Sequence, residues 1–176
     1  SRAKEDKSLE YALVGRGTSS LIDWKENLLQ PFGQSPDMDA SIYRANDFVE
    51  KYPSNEITFV GHSKSGPEAT ANALRTNKNA IIFNPATFNA SAYKSDITNY
   101  TAQVNEYIVK GDLVNSIFAP VSTTFGYHNK VTYLPTQHSL SSFGRFLLGP
   151  SISSVIDLYN SYQNHSMGSI INALNK

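Results

Sequence analysis

The stretch Ile57-Thr58-Phe59-Val60-Gly61-His62-Ser63-Lys64-Ser65-Gly66 decides how this chain is read. Ile57 to Val60 is a short apolar run of β-branched and aromatic residues, the pattern of a buried strand. Gly61 and Ser65 are small residues placed symmetrically about Ser63. Small neighbours let a strand turn sharply into a helix with a strained serine at the tip, the context of a nucleophile elbow. The N–H groups and the positive end of the following helix suit a developing oxyanion. Ser63 is therefore the candidate nucleophile, and the N–H of Lys64, the next residue, is a candidate oxyanion donor. The usual pattern is Gly-x-Ser-x-Gly. Here Ser65 holds the last position and Gly66 comes one step late.

Working outward, Tyr11 to Gly15 predicts a strand. A helix capped by Ser20 or Asp23 is expected through Trp24, Leu28 and Leu29 until Pro31. After a turn-rich stretch, Ile42, Tyr43, Ala45, Phe48, Val49 and Tyr52 recur at helical spacing and predict a helix from about Asp39 to Tyr52. Beyond the elbow, a helix is expected over Glu68 to Leu74 and a strand over Ala80 to Phe83. An Asn/Ser-rich loop runs through Lys94. Val104 to Val109 reads as a strand ending at Gly111-Asp112, and Lys130 to Leu134 as another. A last helix is expected from about Ile152, breaking near His165 and resuming through Ile170, Ile171 and Leu174. Strands alternating with helices imply a mostly parallel sheet covered on both faces. Chemistry in such sheets gathers at the carboxyl ends of the strands.

Composition narrows the function classes. The 176 residues suit a single domain, 1–176, long enough for its own core. Fifteen basic residues balance fifteen acidic ones, which argues against an electrostatic nucleic-acid binder. With no cysteine, thiol catalysis, disulfides and cysteine-ligated zinc are excluded. No apolar run approaches the roughly 18–20 residues that span a bilayer. The four histidines are scattered, with no His-x-x-x-His pair and no glycine-rich phosphate cradle, so neither a metal nor a cofactor is expected. The polar start at Ser1 lacks the apolar core of a signal peptide. The compartment is left open between a bacterial cytoplasm and secretion of a processed chain.

The elbow resembles that of the fungal-type (class 3) lipase family of α/β-hydrolases, whose nucleophile lies in Gly-His-Ser-Leu-Gly-Gly. It is closer to bacterial lipase-like proteins that read Gly-His-Ser-Lys-Gly-Gly. Arg16-Gly17-Thr18, Asp23-Trp24, Tyr52-Pro53, Ile82-Phe83-Asn84-Pro85 and Gly111-Asp112 with Val114 resemble further family segments, in order. The resemblance covers roughly residues 11–115. It implies an α/β-hydrolase-like fold, minimal or N-terminally truncated, because the family carries more chain before the first strand. The short polar segment Pro31 to Asp39 stands where those lipases place an amphipathic lid. It also implies a second oxyanion donor at Thr18, where a plain turn is the other reading. Arg16 is expected to anchor its loop, and Asp23 to cap its helix.

Ser…Asp…His is the α/β-hydrolase order. Asp112 follows a strand and a glycine, which suits the acid that orients an imidazole. Asp96 is the rival, in a loop without a preceding strand; Asp157 lies inside a predicted helix. His165 follows Asp112 at a gap similar to the family's and is the candidate base. His138 is the alternative and His128 lies in the same variable region. The His62 side chain is expected to point away from the pocket and pack against the sheet. Phe118, Phe125, Tyr127, Phe143, Phe146, Leu147 and Leu148 line a variable stretch. Phe146-Leu147-Leu148 is expected as core or helix-packing surface, with an acyl-chain wall as the second reading.

The resemblance thus implies a serine ester hydrolase with a lipid or small ester as substrate and only transient contact with a lipid surface. The oligomeric state is not readable. A catalytically inactive binding or interaction domain, part of a larger effector protein, is the alternative. Ser65 at a glycine position and the shortness of chain before the first strand motivate it.

Overall fold

The computed structural model describes residues 1–5, 9–15, 36–86, 99–114 and 129–176. The elements are β1 (Arg2–Ala3), β2 (Leu9–Val14), α1 (Pro36–Lys51), β3 (Glu56–His62), α2 (Ser65–Thr76), β4 (Asn79–Phe83), β5 (Val104–Val109), β6 (Asn129–Leu134), α3 (Ser142–His165) and α4 (Met167–Leu174). The strands form one sheet in sequential order, β1 to β6. β2 through β6 run parallel, and β1 pairs antiparallel at the edge, Arg2 facing Glu10.

Sequential parallel strands step across the sheet in one direction. Right-handed crossovers then place their helices on one face. α1 and α2 obey this rule. They pack on the face carrying Ile57, Phe59, Ala80, Ile82 and Val104, with Tyr11 and Leu13 at its rim. Ala69, Ala71 and Ala73 keep α2 close to the strands. α4 follows the last strand and escapes the constraint. Its Ile170 and Ala173 pack on Val109, Leu134, Phe83 and Tyr107, which register and strand alternation place on the opposite face. Helices therefore cover both faces of a mostly parallel sheet, an α/β-hydrolase-like architecture.

Some boundaries differ from expectation. α2 begins at Ser65, not Glu68, because Pro67 sits in the first turn, where the helix has no use for its missing N–H. α3 begins at Ser142 rather than near Ile152. Ser141 caps it by accepting the Gly144 N–H, and the chain bends at Gly149 (φ 73°, ψ 170°) before Pro150. Across this bend the Arg145 guanidinium forks onto both oxygens of Asp157, with Nη2 2.7 Å from Oδ1. Phe146, Leu147 and Leu148, expected as core or helix-packing surface, lie exposed on α3, as does Phe143, and Ile170 and Ala173 of α4 pack on the sheet instead. The expected helix between residues 20 and 31 lies outside the described residues.

Phe59 is 1% exposed on a central strand, and Tyr43 is 75% exposed on α1. Phe59→Ala is expected to lower the free energy of urea unfolding by about 3–5 kcal/mol, and Tyr43→Ala by less than about 0.5 kcal/mol. Equal losses would contradict this placement of the core.

Candidate active site

Ser63 stands between β3 and α2 with φ 56°, in the left-handed region that a residue with a Cβ rarely adopts. Three backbone hydrogen bonds hold it there. Its N–H donates to the Phe83 carbonyl (3.1 Å), and its carbonyl accepts from the Gly66 and Ala86 N–H groups (3.0 Å each). Lys64 follows at the N-terminal end of α2, with its N–H at the positive end of the helix dipole.

The turn requires small residues for stated steric reasons. A Cβ on Gly61 would sit 2.1 Å from the Ser65 carbonyl oxygen, and one on Gly66 would sit 2.5 Å from Pro85 Cβ. The serine at the usual glycine position is accommodated from across the sheet. A Cβ on Gly15 would lie 2.8 Å from Ser65 Cβ, so glycine there makes room for it. The Ser65 hydroxyl then accepts the His62 N–H (2.9 Å) and lies within donating distance of the Gly15 carbonyl (3.0 Å) and the His62 carbonyl (2.9 Å). It ties the elbow to the end of β2.

Asp112 follows β5 through Gly111, whose φ of 80° turns the chain at the sheet edge. His165 ends α3. Their side chains meet at 2.6 Å between His165 Nδ1 and Asp112 Oδ2, and His165 Nε2 lies 2.8 Å from Ser63 Oγ. A carboxylate only accepts, so Nδ1 carries the proton and Nε2 accepts from the serine hydroxyl. All three residues are buried, with Asp112 1% exposed. The arrangement can take a proton from Ser63 Oγ and stabilise the resulting imidazolium.

Two other candidates are described and do not join this row. The His138 side chain is exposed, and Asp157 pairs with Arg145. Arg16, Thr18, Asp23, Asp96 and His128 lie outside the described residues, as do Phe118, Phe125 and Tyr127. Among the described residues, no three His, Cys, Asp or Glu side chains cluster as metal ligands.

His62, expected to point away from the pocket and pack against the sheet, instead lies against His165. Its Nε2 lies 2.7 Å from the His165 carbonyl oxygen, and the two rings are 5.0 Å apart. A carbonyl cannot donate, so Nε2 carries the proton. Burial pushes the His62 pKa below its ordinary 6.5, which keeps the ring neutral. Two buried asparagines also escape sequence reasoning as site residues. Asn84, in the left-handed region with φ 38°, accepts the Val109 N–H (2.8 Å) and donates to the Asn164 carbonyl (3.0 Å). The Asn164 side chain accepts from the Gln137 and His138 N–H groups and donates to the His138 carbonyl. Only Asn84 carried a local signal, in Asn84-Pro85 directly after a strand.

A left-handed serine at a strand-to-helix turn, bonded to a histidine and through it to an aspartate at the carboxyl edge of a parallel sheet, defines the α/β-hydrolase class. Within that class, residues 1–140 match the phospholipase-like family described as the Tle-like phospholipase domain, and the chain belongs to it. The chain is thus an esterase- or lipase-like hydrolase. The match bears on the lipase-like expectation at that level and not on the class 3 lipases themselves. Among solved structures, the chain is similar to a carboxylesterase from Mesorhizobium loti. The identity is 14% over 79% of this chain and 87% of that one, with a TM-score of 0.49. Among curated proteins, none matches.

Gly15→Ala should cost about 1–3 kcal/mol in urea unfolding, and distinctly less in a Ser65→Gly background. Additive effects would mean that the two positions do not share the space described. The unfolded chain protonates His62 near pH 6.5, before the folded chain does. The stability that His62 contributes is therefore present above that pH and lost as the pH falls through it. Urea titrations from pH 8 to pH 5 should show this loss, and it should shrink in His62→Gln.

Proposed function

We propose that this chain is a serine ester hydrolase acting on phospholipid or related lipid esters through an acyl-enzyme. The hydrogen-bonded row Ser63–His165–Asp112 carries the reading. Ser63 Oγ attacks the ester carbonyl carbon while its proton passes to His165 Nε2. Asp112 holds the imidazole in the Nδ1–H tautomer and stabilises the imidazolium. The carbonyl oxygen takes up the negative charge against the Lys64 N–H and, as the motif resemblance implies, Thr18. Collapse of the tetrahedral intermediate breaks the bond to the alcohol, which leaves with the proton from His165. Water then attacks the acyl-serine by the same proton route and releases the acid.

The lipid substrate rests on the description of the family to which the chain belongs. Contact with a lipid surface is proposed as transient. The exposed Phe143, Phe146 and Leu147 offer an apolar surface for it, and no helix among the described residues is long and apolar enough to cross a membrane. Ser65 is one sequence ground for the alternative of an inactive domain, and its accommodation beside Gly15 supports the active reading.

Turnover of a short p-nitrophenyl ester and of phosphatidylcholine vesicles tests the proposal. Ser63→Ala should reduce both to background, and Asp112→Asn should reduce kcat about ten-thousand-fold with the fold intact by circular dichroism. Turnover surviving in Ser63→Ala would overturn the reading.

A further inference from the structure

A helix ends with carbonyl groups that have no partner within it. α3 ends at His165, so the residue bonded to Ser63 sits on that unsatisfied terminus. The carbonyl of Gln163 accepts the Ser166 N–H (3.1 Å) and the Ser169 hydroxyl (2.8 Å). The next two are met by side chains from the sheet. Asn84 Nδ2, just past β4, donates to the Asn164 carbonyl (3.0 Å), and His62 Nε2, at the end of β3, donates to the His165 carbonyl (2.7 Å).

We propose that His62 and Asn84 are positioning residues: by capping the last two carbonyls of α3 they hold His165 between Asp112 and Ser63. The proposal rests on the serine-hydrolase reading and deepens it. His62 adjoins the nucleophile, so one residue fixes the elbow and the backbone of the base together. Asn84 spans the other gap. Its Oδ1 accepts from Val109 on the strand that leads to Asp112, while its Nδ2 holds the residue before His165. The acid, the base and the nucleophile are thus referred to neighbouring strand ends rather than to the mobility of a long helix. Asn suits position 84 twice over, since it tolerates the left-handed backbone and offers a donor and an acceptor on one side chain.

Two measurements on the full chain test this. In the unaltered protein, imidazole 15N spectra should show His62 as the neutral Nε2–H tautomer through the pH range of ester turnover. A His62 protonated on Nδ1 alone would overturn the proposal without recourse to any variant. In variants, His62→Gln keeps a donor of similar reach and should retain most of kcat. His62→Leu and Asn84→Asp remove the donors and should each lower kcat roughly hundredfold, with KM little changed. Both should also move the downfield proton resonance of the His165–Asp112 hydrogen bond. If His62→Leu does not fold, Asn84→Asp and the tautomer decide. Wild-type kcat and an unmoved resonance in Asn84→Asp, with Ser63→Ala and His165→Ala inactive, would sink the capping role alone. Full activity in those last two variants would instead sink the hydrolase reading beneath it.

Discussion

The backbone of Ser63 is the constraint on which the rest of the site depends. Its left-handed conformation stores about 1–3 kcal/mol and persists only because surrounding bonds over-determine it. Those bonds come from three places: the end of β4 at Phe83, the first turn of α2 at Gly66, and the segment after β4 at Ala86. Two of the three depend on β4 lying beside β3. Gly61 and Gly66 add a steric condition, because α2 and Pro85 occupy the space where their Cβ atoms would be. The pairing of two strands and the close seating of one helix thus aim a single hydroxyl.

His165 reaches that hydroxyl by a different route. The described crossover helices, α1 and α2, lie on one face, but α3 and α4 follow the last strand, and α4 covers the opposite face over Val109 and Leu134. The junction between α3 and α4 therefore falls over the carboxyl edge, above β3 to β5. His165 occupies that junction. Ser166 starts α4 by accepting the Ser169 N–H, which separates the two helices at the residue after His165. In the buried Asp112–His165 pair each side chain gives the other a hydrogen-bond partner, and the serine hydroxyl completes the row.

Much of this was legible locally. The apolar run before Gly61, the helical period of Ile42 to Tyr52 and the strand before Gly111-Asp112 each announce their element, because periodicity and turn chemistry are short-range signals. Ser63, Asp112 and His165 were readable as candidates from their positions at strand ends and at a helix break. What escaped was long-range. Ser65 departs from the local motif, and the room for it comes from Gly15, 50 residues away along the chain. The bonds of Asn84 and His62 to the end of α3 span 80 and 103 residues, and no local pattern records them. The start of α3 at Ser142 is not legible for another reason: Gly149-Pro150 would ordinarily interrupt a helix, and here the bend at Gly149 lets helix continue on both sides.

The most direct test of the central claim is a crystal structure of the protein after reaction with a fluorophosphonate ester. The account predicts a single phosphorus–oxygen bond to Ser63 Oγ, the phosphoryl oxygen against the Lys64 N–H, and His165 still bonded to Asp112. Phosphorus bonded to another hydroxyl, or an unmodified Ser63 with its hydroxyl turned away from His165, would contradict it.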